Sequence, residues 1–174
     1  GNIGLGHRRL SIIDLARHAD QPMISDEGQY AIAYNGEIYN FPALKDDLLA
    51  LGFIFKTSSD TEVVLKAYEA WGTSCFQKFN GMFALAIVDG NIGELIIARD
   101  SLGIKPLYLH HSSGFTVFSS EIKAILKHPK VNRAINNQSI TEYMWYGNTL
   151  GNNTFYKDIS EVLPGHFLRF SKSG

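Results

Sequence analysis

A chain of 174 residues with 45% apolar content fits a single globular domain and leaves no segment with the composition of a disordered tail. Because 16 basic and 17 acidic residues nearly cancel, the charge gives no reason to expect a nucleic acid or a membrane as partner. The single cysteine, Cys75, excludes an intramolecular disulfide, and without a visible signal peptide or membrane-spanning run we expect a cytoplasmic protein.

The two ends of the sequence predict a piece of a longer protein. The chain starts at Gly1 rather than at methionine. At the other end, a turn-like Ser171–Gly174 follows directly on the strand-like His166–Phe170. We therefore expect further chain on both sides.

The first elements are a strand and a helix. A strand is predicted at Tyr30–Tyr34, where large and small residues alternate, and Asn35–Gly36 has the composition of a turn that would end it. The next helix begins after Asn40, and its predicted apolar stripe consists of Leu44, Leu48, Leu49 and Leu51. A short strand is predicted at Phe53–Phe55.

The clearest helix begins at Ser59, for which a capping box with Glu62 is predicted. Its apolar residues recur at helical spacing and are Val63, Val64, Ala67, Tyr68 and Trp71.

The second half is dominated by strands. Two strand pairs joined by tight turns are predicted, namely Met82–Val88 with Leu95–Ala98, and Leu107–Leu109 with Phe115–Phe118. A short helix through Ile122–Leu126 precedes a polar, turn-rich stretch at 128–137. Strands paired through tight turns beside separate helices indicate an α+β fold with largely antiparallel sheets.

Two polar stretches suit the binding of negative charge. Gly6–Asp14 contains Arg8 and Arg9, and an arginine in a rigid loop suits two-pronged capture of a carboxylate, although a surface charge explains either residue alone. The Asn35 amide and the Gly36 N–H are suited to aim two donors at one oxyanion. Taken alone, however, Asn-Gly favours an ordinary turn.

Two further stretches leave their role open. Asp60 falls in a first helical turn, where a carboxylate stabilises the helix dipole but is also suited to bind a substrate ammonium group. In Arg99–Tyr108, a pairing of Arg99 with Asp100 and a loop shaped by glycine and proline would be a sufficient structural explanation.

Together these stretches resemble asparagine synthetases, because they occur in the order and spacing of that family. The matching segments are Arg9–Asp14, Asn35–Asn40, Ser59–Glu62 and Arg99–Tyr108, with shorter agreement at Gln21–Met23 and Asn80–Ala84. The likeness is close from Gly4 to about Leu126 and looser up to Leu163–His166. The first segment differs from that of the amidotransferases of purine and amino-sugar synthesis. The chain thus resembles the class II glutamine amidotransferase domain of glutamine-hydrolysing asparagine synthetases.

The resemblance implies an N-terminal-nucleophile hydrolase fold, a four-layer αββα sandwich with two antiparallel sheets, incomplete here at the N-terminus. It implies an amidotransferase domain over residues 1–127. Residues 128–174 would then form a linker and the lead-in to a separate ATP-dependent synthetase domain.

The resemblance also implies the chemistry. In such enzymes a cysteine at the mature N-terminus attacks the side-chain amide of glutamine and uses its own α-amino group as base. The ammonia passes to an acyl-adenylate made from aspartate or a related acid. L-glutamine and the protein's own synthetase domain are therefore the implied partners, and a homodimer is a further expectation. ATP and Mg are implied for the synthetase domain, with no cofactor or metal site in this chain.

By position in the family's motifs, Asn35 and Gly36 would form the oxyanion hole. Asp60, with the backbone near Glu37, would bind the α-ammonium group. The implied contacts on the carboxylate side of the substrate are Arg9 and the backbone of Leu10, Ser11, Ile12 and Ile13.

The sequence departs from the family at the nucleophile. Gly1 has no side chain to attack an amide, and the only thiol belongs to Cys75, which follows the long helix beside Phe76 and Phe79. A buried structural thiol is expected in that setting. We therefore expect these 174 residues to hydrolyse nothing by themselves.

Two alternatives to an amidotransferase remain open. One is a non-catalytic scaffold, as in relatives of β-lactam synthetase, and the other is a glutamine-binding module without chemistry. Retention of Arg9, Asn35, Gly36 and Asp60 favours the amidotransferase, because a scaffold has no need of all four.

Overall fold

The computed structural model describes residues 3–7 and 21–171. The helices are α1 (Phe41–Ala50), α2 (Asp60–Trp71), α3 (Ile122–Ile125) and α4 (Asn137–Tyr146), with a 3-10 helix at Gly72–Lys78. The strands are β1 (Met23–Ile24), β2 (Tyr30–Ile38), β3 (Gly81–Asp89), β4 (Glu94–Arg99), β5 (Tyr108–Ser112), β6 (Phe115–Ser119), β7 (Ser160–Glu161) and β8 (Phe167–Phe170). Within the described residues, no helix combines the length and the apolar character needed to cross a membrane.

The strands form two antiparallel sheets. The larger sheet has the order β1-β2-β3-β4-β8, and the smaller one has the order β6-β5-β7. Strands β2 and β3 pair along their whole length, from Tyr30 opposite Asp89 to Ile38 opposite Gly81. Side chains on successive residues of β3 face opposite sides of the sheet, which places apolar residues in two different cores.

Helices cover the outer faces of the sheets. Helices α1 and α2 pack on one face of the larger sheet, where Ile32, Leu48 and Val64 are fully buried. The other face of that sheet meets the smaller sheet through a core that includes Ala86 and Leu109. Helix α3 packs on the far side of the smaller sheet. The predicted α+β architecture with two antiparallel sheets between helices is confirmed.

The predicted turn at Asn35–Gly36 is wrong, because β2 runs through both residues to Ile38. Each of these residues has a partner on β3, with Asn35 opposite Ala84 and Gly36 opposite Phe83. The Asn-Gly pair therefore continues the strand and does not reverse the chain.

Two expectations around the first helix also fail. The segment Phe53–Phe55 forms no strand, and its central residue, Ile54, is exposed. The apolar stripe of α1 is narrower than predicted, because only Leu44 and Leu48 are buried whereas Leu49 and Leu51 face solvent. The helix thus contacts the core along a single narrow edge.

The predicted capping box at α2 is half formed. The hydroxyl of Ser59 accepts a hydrogen bond from the N–H of Thr61 at 3.2 Å, as a cap residue does. The Glu62 carboxylate, however, accepts from the N–H groups of Lys56 and Thr57, at 2.9 and 2.7 Å. It therefore fixes the loop before the helix.

Two strands that follow residue 127, the predicted end of the amidotransferase domain, belong to the same two sheets. Strand β7 pairs with β5 in the smaller sheet, and β8 pairs with β4 at the edge of the larger one. Residues 128–171 thus help to build both sheets. The assignment of 128–174 as a linker and lead-in to another domain stays a prediction.

Candidate functional site

A cavity of about 530 Å³ lies between the two sheets of the described residues. We call it the inter-sheet pocket. The residues lining it that matter below are Gly6, His7, Gln21, Tyr34, Asn35, Gly36, Glu37, Asp60, Thr61, Lys105 and Leu107. A second cavity of about 90 Å³ near Lys56 and Lys66 contains none of the predicted site residues. The inter-sheet pocket is therefore the candidate site.

Strand β2 brings Asn35, Gly36 and Glu37 to the wall of this pocket. Tyr34 and Ile38 point into the core beneath the helices, so the alternation of the strand places Asn35 and Glu37 on the opposite face, toward the smaller sheet. Within the described residues, the side-chain amide of Asn35 makes no hydrogen bond. Asn35 nevertheless belongs to the lining of the pocket.

The N-terminus of α2 supplies the carboxylate of Asp60, which is 4% exposed and lines the same pocket. Its Oδ2 accepts hydrogen bonds from the hydroxyl of Tyr34 at 2.8 Å and from the N–H of Ile38 at 3.2 Å. The structure therefore brings together Asn35 and Gly36 on β2 and Asp60 on α2.

The Tyr34 hydroxyl is held in its protonated form. Burial, assisted by the negative charge of Asp60 and the hydrogen bond to it, raises the pKa of Tyr34 far above its usual range. A phenol in this state acts as a hydrogen-bond donor at every pH of biological interest.

The loop between β4 and β5 is built around Asp100, which is fully buried. Its two carboxylate oxygens accept hydrogen bonds from four backbone N–H groups, at 3.0 to 3.2 Å, of Phe83, Leu102, Ile104 and Lys105. Burial alone would raise the pKa of Asp100, but these four donors outweigh it and lower the pKa below its ordinary value. The carboxylate thereby fixes the loop to the start of β3.

Arg99 also binds the backbone of this loop. Its guanidinium donates to the carbonyl oxygens of Lys105 at 2.8 Å and of Gly103 at 2.7 Å, and it forms an ion pair with Glu161 at 2.8 Å. Gly103 has a φ of +67° and a Cβ there would lie 2.7 Å from the ring of Pro164, so only glycine fits. The predicted pairing of Arg99 with Asp100 is wrong, because each binds the loop backbone. The loop is a rigid element that carries Lys105 to the inter-sheet pocket.

Cys75 lies in the 3-10 helix after α2 and is fully buried. Burial raises the pKa of its thiol to about 12. A thiol that stays protonated at neutral pH is a poor nucleophile, and Cys75 does not line the inter-sheet pocket. The interpretation of Cys75 as a structural residue agrees with this placement.

A family model for the glutamine amidotransferase domain matches residues 1–174, the whole of the chain. The chain belongs to this family. It is homologous to the amidotransferase parts of glutamine-hydrolysing asparagine synthetases, as the following relatives show.

Two such relatives come from Bacillus subtilis strain 168. Its glutamine-hydrolysing asparagine synthetase 3 is 38% identical over 171 residues, which cover 97% of this chain and 28% of that protein. Its asparagine synthetase 2 is 34% identical over 174 residues, with 97% and 23% covered. The amidotransferase chain thus spans about a quarter of the length of these curated relatives.

A solved structure supports the fold. The glutamine phosphoribosylpyrophosphate amidotransferase of B. subtilis, in complex with ADP and GMP, is similar with a TM-score of 0.59 and 26% identity. The match covers 88% of this chain and 30% of that chain. The predicted N-terminal-nucleophile hydrolase class of the amidotransferase domain is thereby confirmed.

Several predicted site residues lie outside the described part of the domain. Arg9 belongs to the segment 8–20, for which nothing is described, and so do the four predicted backbone contacts Leu10, Ser11, Ile12 and Ile13. Their roles as substrate contacts stay predictions. Gly6 and His7, just before this segment, line the inter-sheet pocket.

Sequence reasoning missed three residues of the pocket. Sequence analysis gives no site role to Tyr34, Gln21 or Lys105, although each lies in or beside a segment that resembles the family. That position is the signal by which sequence analysis could have found them. Their contacts with Asp60, Thr61 and Asp100 span long sequence distances or depend on loop geometry, which no local pattern reveals.

Proposed function

We propose that this domain is the glutaminase part of a glutamine-dependent asparagine synthetase or of a close relative. It would bind L-glutamine in the inter-sheet pocket and release ammonia from the side-chain amide. The ammonia would serve the ATP-dependent amidation of aspartate or a related carboxylate elsewhere in the whole protein. We further propose a cytoplasmic location.

The observation that carries this proposal is the meeting of Asn35 and Gly36 with Asp60 around one pocket. Their sequence positions match the family's oxyanion hole and its ammonium-binding carboxylate. Two amide donors on one wall and a buried carboxylate on another are complementary to the two ends of glutamine, the reacting amide and the α-ammonium group.

In the proposed reaction, the attack of a cysteine thiolate on the amide carbon places negative charge on the amide oxygen. The Asn35 side chain and the Gly36 N–H would stabilise that oxygen in the transition state. Asp60 and the backbone near Glu37 would hold the ammonium group, while Arg9 and the backbone of residues 10–13 would hold the carboxylate. We assign the nucleophile to a cysteine at a mature N-terminus, as in the family, because the thiol of Cys75 is buried and protonated.

We assign ATP and Mg to the synthetase part of the whole protein. Within residues 3–7 and 21–171, no cluster of three or more His, Cys, Asp or Glu side chains is suited to hold a metal ion. No step of the proposed glutaminase reaction calls on a metal ion. Residues 128–174 would lead from the amidotransferase domain toward that part, and a homodimer is a further proposal.

The test measures which nitrogen source, glutamine or ammonia, the full-length gene product can use. With ATP and aspartate, we expect asparagine to form with glutamine and also with ammonia. Arg9→Lys should abolish only the reaction that uses glutamine, because an ammonium cannot reproduce the two-pronged contact of a guanidinium with a carboxylate.

Formation of asparagine with ammonia but not with glutamine would support the scaffold alternative. Calorimetric binding of glutamine without any hydrolysis would support a binding module. Loss of both reactions in Arg9→Lys would show that Arg9 is structural.

A further inference from the structure

The hydroxyl of Tyr34 and the carboxylate of Asp60 form a buried contact at the wall of the inter-sheet pocket. The two residues are 3% and 4% exposed, and the O–H donates to Oδ2 at 2.8 Å. The N–H of Ile38 donates to the same oxygen at 3.2 Å. Within the described residues, Oδ2 of Asp60 therefore accepts two hydrogen bonds and Oδ1 accepts none.

We propose that Tyr34 is the positioning residue of Asp60, holding Oδ2 so that Oδ1 faces the α-ammonium group of glutamine. This inference rests on the proposed function, in which Asp60 recognises that group. In this role Tyr34 acts on the substrate through Asp60.

A carboxylate needs such support because its side chain rotates about two bonds. An Asp at the first turn of a helix has neighbouring N–H groups of that helix as competing partners. Two donors on Oδ2, from Tyr34 and Ile38 of the same strand, select one orientation before the ligand arrives. Ordering the site in advance lowers the entropic cost of binding.

The position of Tyr34 is itself fixed by Gln21. The Oε1 atom of Gln21 accepts a hydrogen bond from the Tyr34 N–H at 2.5 Å. Its Nε2 atom donates to the hydroxyl of Thr61 at 3.4 Å, next to Asp60 in the first turn of α2. The start of α2 and strand β2 are therefore joined on both sides of the carboxylate.

A buried phenol also needs an acceptor for purely structural reasons, and the same core contains a matched case. Tyr68 is 5% exposed and donates to Oδ2 of Asp89 at 3.1 Å. Neither Tyr68 nor Asp89 lines the inter-sheet pocket. Tyr68→Phe removes an equivalent bond away from the candidate site and is the control for Tyr34→Phe.

The experiment measures calorimetric affinities of the 174-residue chain for L-glutamine and for 4-carbamoylbutanoate, which lacks only the α-amino group. Tyr34→Phe should weaken glutamine binding roughly tenfold, the effect of losing one hydrogen bond to a charged group, and leave the affinity for 4-carbamoylbutanoate unchanged. Tyr68→Phe should change neither affinity. In an Asp60→Asn background, Tyr34→Phe should have almost no additional effect on glutamine, because the two residues act as one unit.

Each other outcome decides against a positioning role. Equal weakening of both ligands, unchanged glutamine affinity, or a Tyr34→Phe chain that does not fold would overturn it and leave the proposed function standing. Absence of glutamine binding by the unmodified chain would overturn the inference together with the glutamine pocket on which it rests.

Discussion

A Cβ atom built on Gly36 would lie 2.6 Å from the Cα of Phe83, its partner on the neighbouring strand, and closer still to the carbonyl oxygen of Met82. Both are backbone atoms in the centre of the larger sheet, so they cannot turn away as a side chain would. The absence of a side chain at position 36 is therefore a condition for the pairing of β2 with β3. That pairing places Asn35 at the wall of the inter-sheet pocket.

Gly36→Ala should destabilise the domain by about 1–3 kcal/mol, the cost of forcing an extra methyl group into a packed region. A thermal melt measures the effect. Gly4→Ala is the control, because nothing lies within 4 Å of a Cβ at that position. An unchanged melting temperature in Gly36→Ala would show that the strands can move apart at no cost.

The fold could be predicted where burial follows a simple period. Helix α2 was predicted correctly because Val63, Val64 and Ala67 are apolar and face the core. No helix was predicted at α4, which buries its polar residues Ser139 and Glu142 and exposes its apolar and aromatic ones. A helix with this inverted pattern gives no hydrophobic stripe that sequence analysis detects.

The site was predictable only in part for a related reason. The positions of Asn35, Gly36 and Asp60 came from the resemblance, and all three line one pocket. The contact of Tyr34 with Asp60 joins residues 26 positions apart. It depends on how β2 packs under α2, and a strand tyrosine has the same local signature whether or not its hydroxyl finds a partner.

Asn35→Ala should lower glutamine-dependent turnover of the full-length gene product and spare its ammonia-dependent reaction. Loss of one oxyanion donor typically costs about 3 kcal/mol of transition-state stabilisation, which is roughly a hundredfold in rate. Ammonia requires no acyl transfer, so that route is unaffected. Steady-state assays with both nitrogen sources measure this, and an equal loss with both would mean that Asn35 supports the fold alone.

Asp100→Asn should destabilise the domain by about 2 kcal/mol or more, because an amide nitrogen would replace one oxygen among four N–H donors. Asp46→Asn, an exposed position on α1, is the control for the same chemical change. Since the folded-state pKa of Asp100 lies below the ordinary 3.8, its contribution is present above that pH and is lost as the pH falls through the folded value. Denaturant melts of the variant should therefore show a weaker loss of stability in acid, and an unchanged acid profile would contradict this account.

Cys75 should make the domain less stable in alkali. Its thiol has a pKa of about 12 when folded against 9.0 as a free group, so between these values only the unfolded chain ionises and unfolding is favoured as the pH rises. The tyrosines Tyr34 and Tyr68 act in the same direction, since their pKa values are raised as well. Above pH 9, the free energy of unfolding should thus fall less steeply with pH in Cys75→Ala than in the unmodified chain. The part of the fall that is due to the tyrosines should stay. An identical slope would show that the thiol is accessible when folded.

Asp60→Asn separates recognition of the substrate from support of the fold. The change keeps an oxygen that can accept from Tyr34 and Ile38 but removes the charge. If Asp60 only stabilises the start of α2, the loss should be about 0.3–1 kcal/mol from the helix dipole, with a normal KM for glutamine. If it binds the α-ammonium group, the melting temperature should stay nearly normal while the glutamine KM rises sharply and kcat falls with poorer positioning of the amide.

Kinetics of the full-length gene product beside thermal melts distinguish the two roles of Asp60, with Asp89→Asn as the control at a buried carboxylate outside the pocket. We expect the rise in KM, and a KM unchanged in Asp60→Asn would remove this residue from the substrate site.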